Sequence, residues 1–208
     1  SLKIGIPLVP RIFIGTVSGQ FDKYLIRTLA SMGDVGIYGI GQRIANFGIL
    51  FMSALQKVFQ PYVYRKMFDE EVKQGGRIIG EYLVPFAYFC TAMILLIVLF
   101  SEEIITVCMP KEYYGAINVV IVISMYYCIL FFGKQPQITF KGRTIWITLT
   151  GMLNFILLVG LSIMFIKLWG VIGAAWGVFC SGVITGIVHF LVSQYHYRIK
   201  WQDKKLIS

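Results

Sequence analysis

Long apolar runs without a charged side chain dominate the chain beyond its first third. Tyr82–Phe100 spans 19 residues, Ala116–Gly133 spans 18 and Thr144–Ile166 spans 23, and none of them contains Asp, Glu, Lys or Arg. Leu168–Tyr197 adds 30 residues that also lack these four residue types. About 20 apolar residues cross the hydrocarbon core of a bilayer as a helix. The pattern therefore predicts four membrane-spanning helices.

The first sixty residues contain two further apolar segments, which differ from the others because they carry charge. Ile4–Leu29 and Val35–Gln60 are each long enough to span a bilayer. Their ionisable residues are Arg11, Asp22, Lys23 and Arg27 in the first segment, and Arg43 and Lys57 in the second. An ionisable side chain within a span is costly unless it faces a watery cavity or a partner, so it marks a functional site. We predict that this hairpin lines a polar path.

The six segments together predict an all-α integral membrane protein built as a six-helix bundle. The predicted spans are residues 4–29, 35–61, 80–100, 114–133, 144–167 and 170–197. A mean hydropathy of +0.74, with 57% hydrophobic and 14% charged residues, agrees with this class and excludes an ordinary soluble domain.

The net charge of +9 does not point to nucleic acid, because the cations are concentrated in alternate connections between the predicted spans. Twelve Lys and Arg residues lie in one set of connections, whereas the other set holds only Lys111 and Lys167. Positive loops stay on the cytoplasmic side. We therefore expect both ends of this segment in the cytoplasm and no nucleic-acid partner.

The four cysteines are scattered, without a CxxC pair or a Cys/His cluster. This spacing predicts neither a disulfide framework nor a zinc site, and we expect no metal and no cofactor. The chain opens at Ser1 directly into a predicted span, without a signal peptide. From this start we expect a further N-terminal part.

One side of the first segment is polar or small. At 100° per residue, Arg11, Gly15, Ser18 and Asp22 fall within about 60° of one another. Such a stripe is typical of a helix that faces lipid on one side and a cavity on the other.

The second segment carries a matching set of side chains. Arg43 and Asn46 share one face, to which Lys57 returns two turns before the cytosolic end. If the hairpin turns near Met32–Gly33, antiparallel helices of equal rise place Arg43 at the depth of Asp22. By the same count, Lys57 lies near the depth of Arg11 in the first segment.

The charged residues of the hairpin allow two interpretations. Asp22 and Arg43 can neutralise each other as a structural pair, because a buried charge without a partner is expensive. Alternatively, they contact a substrate directly. Lys23 and Arg27 lie off the polar stripe and close to the outer surface, so snorkelling to the interface explains them.

Polar and small residues of the last two spans predict helix packing. Asn154 is expected to hydrogen-bond a neighbouring helix, with substrate contact as the alternative. Gly173, Gly177 and Ser181 recur at every fourth position and predict a ridge for close helix approach.

Two other stretches are expected at membrane interfaces. Tyr113, Tyr114, Tyr126 and Tyr127 predict interfacial aromatic belts, with stacking on a sugar as the alternative. The charged connection Tyr62–Gly80, with interleaved apolar residues, predicts an interfacial amphipathic helix.

Two stretches carry a resemblance to a known family. The first runs from Gly5-Ile6-Pro7 through Asp22-Lys23, continues with Val35-Gly36-Ile37-Tyr38 and closes at Phe59-Gln60-Pro61. The second consists of Lys141-Gly142-Arg143-Thr144, Asn154 and Gly170-Val171-Ile172-Gly173-Ala174-Ala175. With these residues the chain resembles the C-terminal six-helix lobe of polysaccharide exporters and lipid-linked oligosaccharide flippases, in the multidrug/oligosaccharidyl-lipid/polysaccharide superfamily. The resemblance covers essentially all 208 residues.

The resemblance implies a two-bundle transporter of twelve or more helices, of which this chain is one half and the N-terminal lobe is absent. It implies a bacterial inner membrane protein, not an enzyme. Its substrate would be a polyprenyl-pyrophosphate carrying a sugar repeat unit, moved to the outer leaflet for O-antigen or exopolysaccharide synthesis. Polysaccharide polymerase machinery is then a partner.

The implied substrate gives the charged residues a role. A pyrophosphate needs fixed cations, which Arg supplies best through its planar fork. Arg43 and Arg11 would hold the anion, Asn46 and Lys57 would complete the cavity face, and Asp22 would take up a coupling proton or sodium ion.

Two other functions predict different side chains. A drug/cation antiporter of the same superfamily is expected to have an acid-rich cavity, whereas this face is mainly cationic. A membrane glycosyltransferase or polymerase component is expected to have paired carboxylates or a metal motif. The adjacent Glu102 and Glu103 form no such constellation. A non-transporting structural lobe is a further alternative.

Overall fold

The computed structural model describes residues 8–69, 72–133 and 144–196, and every regular element within these ranges is a helix. The helices are α1 (Leu8–Leu29), α2 (Met32–Asp69), α3 (Val72–Leu99), α4 (Ser101–Cys108), α5 (Ala116–Gly133), α6 (Thr144–Trp169) and α7 (Val171–His196). A 3₁₀ turn at Lys111–Tyr113 precedes α5. The predicted all-α class is confirmed.

Three helices of the described chain are long and apolar enough to cross a membrane. Their apolar stretches are Lys111–Ile129, Thr148–Trp169 and Val171–Val192. A fourth crossing is added if Ala87–Leu99 and Ser101–Cys108, which meet at a bend of 42°, count as one span. The chain therefore has the helices of a membrane-associated protein. Of the described helices, α1 and α2 are not among these candidates.

A two-residue turn joins α1 to α2. Ala30 still donates a backbone hydrogen bond to Ile26 at 2.8 Å, which closes the last turn of α1. Ser31 then caps α2: its hydroxyl accepts from the Asp34 N–H at 3.1 Å and donates to the Asp34 carboxylate at 2.7 Å. This arrangement satisfies a backbone donor that the first turn of a helix leaves free. With only two residues between Leu29 and Met32, α1 and α2 are antiparallel neighbours.

The charged connection between the second and third predicted spans is not a separate interfacial helix. Its residues extend α2 as far as Asp69 and begin α3 at Val72, while residues 70–71 lie outside the described chain. Helix α2 continues through Pro61, where a proline removes one backbone donor without ending the helix. With 38 residues it is about 57 Å long, well beyond the thickness of a hydrocarbon core.

Helices α6 and α7 form a second, tighter hairpin. Gly170 adopts φ +63°, the left-handed conformation that ends α6, and its N–H donates to the Ile166 carbonyl at 2.8 Å. A Cβ added at Gly173 would overlap the Phe165 carbonyl group, and one at Gly177 would overlap Ser162. The close approach predicted from the small-residue ridge is confirmed.

The core lies where α5 packs against α2, α3 and α7, and where α6 packs against α1 and α7. Its main cluster joins Ile26 and Tyr38 of the first hairpin to Ile123 of α5 and to Ala174 and Ala175 of α7. One side of the α1–α2 hairpin, with Ile26 and Tyr38, is therefore inside the protein, which decides the surroundings of its charged residues.

Candidate functional site

The buried carboxylate of the first hairpin is held by a tyrosine. Asp22 is 3% exposed and Tyr38 is fully buried. The Tyr38 hydroxyl donates to Asp22 Oδ2 at 2.5 Å, and the backbone N–H of Lys23 donates to Oδ1 at 2.8 Å. A carboxylate in a low-dielectric interior needs such donors, because an unpaired one is strongly disfavoured. Tyr38 is thus the principal side-chain partner of Asp22.

Asp22 and Arg43 do not pair, which corrects one of the two interpretations drawn from equal depth. The turn lies at Ala30–Ser31, about two residues earlier than predicted, so residue 39 is level with Asp22. Arg43 lies four residues further along α2, about 6 Å deeper, and 140° around the helix from Tyr38. Its side chain is exposed.

A second tyrosine extends the polar group toward α5. The Tyr127 hydroxyl donates to Asn46 Oδ1 at 2.5 Å, and Tyr127 packs in the same core cluster as Tyr38. We call Asp22, Tyr38, Asn46 and Tyr127 the polar cluster. Its members come from α1, α2 and α5, so it ties the first hairpin to the centre of the bundle. Asn46 is half-buried.

The prediction that Tyr126 and Tyr127 belong to an interfacial aromatic belt is wrong. Tyr127 is 7% exposed, and the ring of Tyr126 lies over Gly182 of α7, which has no Cβ to obstruct it. Tyr38 was not among the site residues predicted from the sequence. A tyrosine buried in a helical core needs a hydrogen-bond partner for its hydroxyl, and this requirement could have indicated a polar partner for Tyr38.

Two cations lie on an exposed side of α2. Arg43 and Lys57 are exposed together with Phe47 (65%), Leu50 (64%) and Val58 (72%). These five residues fall within about 100° of arc on a helix, opposite the face that buries Tyr38. We call them the cationic face of α2. The structure thus separates the predicted site residues into a hydrogen-bonded group, with buried Asp22 and half-buried Asn46, and an exposed group with Arg43 and Lys57.

The α1–α2 hairpin opens away from its turn. Gly15 lies within about 20° of Asp22 around α1, yet Gly15 is exposed and a Cβ added there would meet nothing within 4 Å. Gly19 on α1 and Gly39 on α2 also adjoin open space. Arg11 lies on α1 beyond this opening, and its side chain is outside the described part of the structure.

Asn154 belongs to a different polar contact, between α6 and α7. Its Nδ2 donates to Thr185 Oγ1 at 2.9 Å, and the Thr185 hydroxyl donates in turn to the Ser181 carbonyl at 2.7 Å. The predicted helix-to-helix hydrogen bond is confirmed. The Asn154–Thr185 contact lies along the same α6–α7 interface as the close approach of Gly177 to Ser162.

Replacing Asn154 by alanine is expected to loosen this seam. Hydrogen bonds between membrane helices contribute about 0.6 to 1.7 kcal/mol, so Asn154→Ala should lower the free energy of unfolding by that amount. Thermal unfolding of the purified protein in detergent measures the loss. Thr185→Ala should cost a similar amount, and the double variant little more than either single one. Fully additive losses would show that the two side chains do not interact.

The part of the chain that the structure describes contains no group of three or more His, Cys, Asp or Glu residues that could hold a metal ion. The site therefore consists of a hydrogen-bonded carboxylate, two tyrosines, an amide and a separate exposed pair of cations.

Comparison with known proteins gives no relative from which to transfer a role: no protein-family model matches the chain, and neither does any curated protein or solved structure. The resemblance to polysaccharide exporters stays a prediction from the residues that carry it.

Proposed function

We propose that this chain is a six-helix lobe of a flippase that moves polyprenyl-pyrophosphate-linked oligosaccharide repeat units across a bacterial cytoplasmic membrane, for cell-surface polysaccharide synthesis. In this proposal α1, α2, α3, α5, α6 and α7 cross the membrane with both ends of the segment in the cytoplasm. A second six-helix lobe closes the cavity. The protein moves its substrate without covalent chemistry and delivers it to polysaccharide polymerase machinery.

The observation that carries the proposal is the cationic face of α2. Arg43 lies eleven residues beyond Met32, which places it about 17 Å from the turn along the helix axis. At that depth an exposed arginine beside Phe47 and Leu50 cannot face acyl chains without a large cost in free energy. A hydrated cavity that admits an anion removes this cost. The exposed face is therefore suited to line such a cavity.

The chemistry of the substrate fits these side chains. A pyrophosphate is a dense anion that Arg43 can hold through two parallel hydrogen bonds, and Lys57 can follow it toward the cytosolic side. Arg11 is proposed as a third cation on the opposite helix. The glycan occupies the opening between α1 and α2, while the lipid tail stays in the bilayer. Movement of one lobe against the other then exposes the cavity to each side in turn.

Asp22 is proposed to couple an ion to this movement. Its only strong side-chain partner among the described residues is a neutral hydroxyl, so it can bind a proton or a sodium ion without first breaking an ion pair. Asn46, bonded to Tyr127, connects this carboxylate region to the cavity face.

The alternatives predict other side chains on the exposed face. A drug/cation antiporter needs acids there, whereas Asp22 is buried beneath Tyr38 and the exposed ionisable residues in the central part of α2 are cations. A membrane glycosyltransferase or polymerase component needs a catalytic constellation. Competition by cationic dyes, but not by anionic lipid oligosaccharides, would favour the antiporter.

Replacing Arg43 tests the proposal. In the complete protein, Arg43→Ala should reduce glycan export about tenfold to a hundredfold, because a hydrogen-bonded charge contributes about 1.5 to 3 kcal/mol. Export is measured as surface polysaccharide in cells that depend on the protein. Membrane insertion should be unchanged, because the Arg43 side chain is exposed and its replacement removes no core contact.

Arg27→Ala is the matched control. Arg27 is also an exposed arginine, but it lies at the end of α1 close to the turn, where snorkelling to the interface explains it. We expect near-normal export from this variant. Normal export by Arg43→Ala, or equal losses in both variants, would refute an anion-holding role for Arg43.

A further inference from the structure

Helix α4 has three distinct faces. Ser101 and Ile105 are buried, and Ile105 packs against Ala116 and Val120 of α5. The polar face consists of Glu102, Glu103 and Thr106, which are all exposed. The third face consists of Phe100, Ile104 and Val107, which are apolar yet 55%, 40% and 83% exposed. We call these three residues the apolar edge of α4.

The apolar edge is a continuous surface and not a set of scattered side chains. At 100° per residue, Phe100, Ile104 and Val107 lie within about 60° of one another, whereas Glu102 lies roughly opposite and Glu103 borders the edge, about 40° from Val107. A short helix that is packed on one side, polar on the second and apolar on the third fits a boundary between water and lipid.

The surface continues the exposed apolar side of α3. On α3, Leu95, Leu96 and Leu99 are 52%, 45% and 68% exposed, and the apolar edge follows directly after the bend of 42°. The Ser101 hydroxyl donates to the Val98 carbonyl at 2.7 Å across this bend. The uncharged part of α3, Tyr82–Leu99, has 18 residues and is about 27 Å long, which is within the range that crosses a hydrocarbon core without α4.

The residues after α4 place it at the membrane surface. The next apolar stretch begins at Lys111, where Lys111 and Glu112 are exposed and Tyr113 and Tyr114 are half-buried. Tyrosines with neighbouring charges are typical of the headgroup level. Helix α4 therefore lies between the end of one crossing and the start of the next.

We propose that α4 is an oblique interfacial helix whose apolar edge is inserted into the phospholipid bilayer at the boundary between headgroups and acyl chains, with Glu102 and Glu103 toward water. The partner of this surface is lipid rather than another protein. The helix then anchors the bend between α3 and α5 at a fixed depth. The proposal does not depend on transport, because it concerns only how this part of the chain sits in a membrane.

A photoreactive benzophenone side chain tests this placement. It is introduced at Val107 of the full chain, which is reconstituted in vesicles of phosphatidylethanolamine and phosphatidylglycerol, irradiated, and examined by mass spectrometry. We expect several-fold more lipid adduct at Val107 than at Thr106, the adjacent residue on the polar face. Leu95 on α3 serves as the positive control for lipid contact.

Each other outcome overturns the proposal. Adducts between two copies of the chain at Val107 would make the apolar edge a protein interface. Equal and low lipid labelling at Val107 and Thr106, with strong labelling at Leu95, would place α4 in water. Ile104 provides a second probe position on the same face, so the result does not depend on one variant.

Discussion

Gly173→Ala is expected to prevent stable packing of the α6–α7 hairpin. The added Cβ would overlap the Phe165 carbonyl group of α6, and that group belongs to a helix backbone that cannot rotate away. The helices must separate or shift along their whole contact. Overpacking a side-chain core costs about 1 to 3 kcal/mol, and a clash with backbone should reach or exceed the upper end of that range. Reduced yield of folded protein and a lower thermal midpoint in detergent would measure it.

Gly160→Ala provides a control with the opposite expected sign. Gly160 lies in the interior of α6 on its exposed side, and a Cβ added there meets nothing within 4 Å. Alanine favours helix over glycine by about 0.5 to 1 kcal/mol, so this variant should be as stable as the parent or slightly more stable. Similar losses from both substitutions would mean that the close approach at Gly173 does not exist.

Tyr38→Ala is expected to be the most damaging single substitution in the first hairpin. Tyr38 is fully buried, and truncating a buried aromatic side chain costs about 3 to 5 kcal/mol through lost burial and the cavity left behind. The variant also leaves the Asp22 carboxylate without its side-chain donor. Thermal unfolding measures the total effect.

Tyr38→Phe separates the hydrogen bond from the packing. It keeps the ring and removes only the hydroxyl, so it should cost about 1 to 3 kcal/mol because a buried acceptor loses its partner. In an Asp22→Leu background the same change should cost much less, since no carboxylate is left to satisfy. Tyr24→Phe on α1 is the control, because Tyr24 is 60% exposed. Equal costs of Tyr38→Phe in both backgrounds would argue against the Asp22–Tyr38 interaction.

The two hairpins illustrate how far local pattern reaches. Spacing alone identified the Gly173 and Gly177 ridge and the helix-to-helix bond of Asn154, because both depend on which residues share a face of one helix. The depth of Arg43 relative to Asp22 depended on where the chain turns. The turn at Ala30–Ser31 lies about two residues earlier than predicted, and Arg43 also lies on the other side of α2 from Tyr38, so the two side chains are separated.

The sequence by itself determined the helical class, the membrane character and the presence of charge in the first hairpin, because hydrophobic run length and helical periodicity are local properties. Only the tertiary structure decided which charged groups are buried and which are exposed. Asp22 faces Tyr38 and the core, whereas Arg43, one turn deeper, lies 140° around α2 from that tyrosine and is exposed. Such a division follows from the packing of α5 and α7 against the hairpin, and contacts between distant segments are not encoded in the period of any single helix.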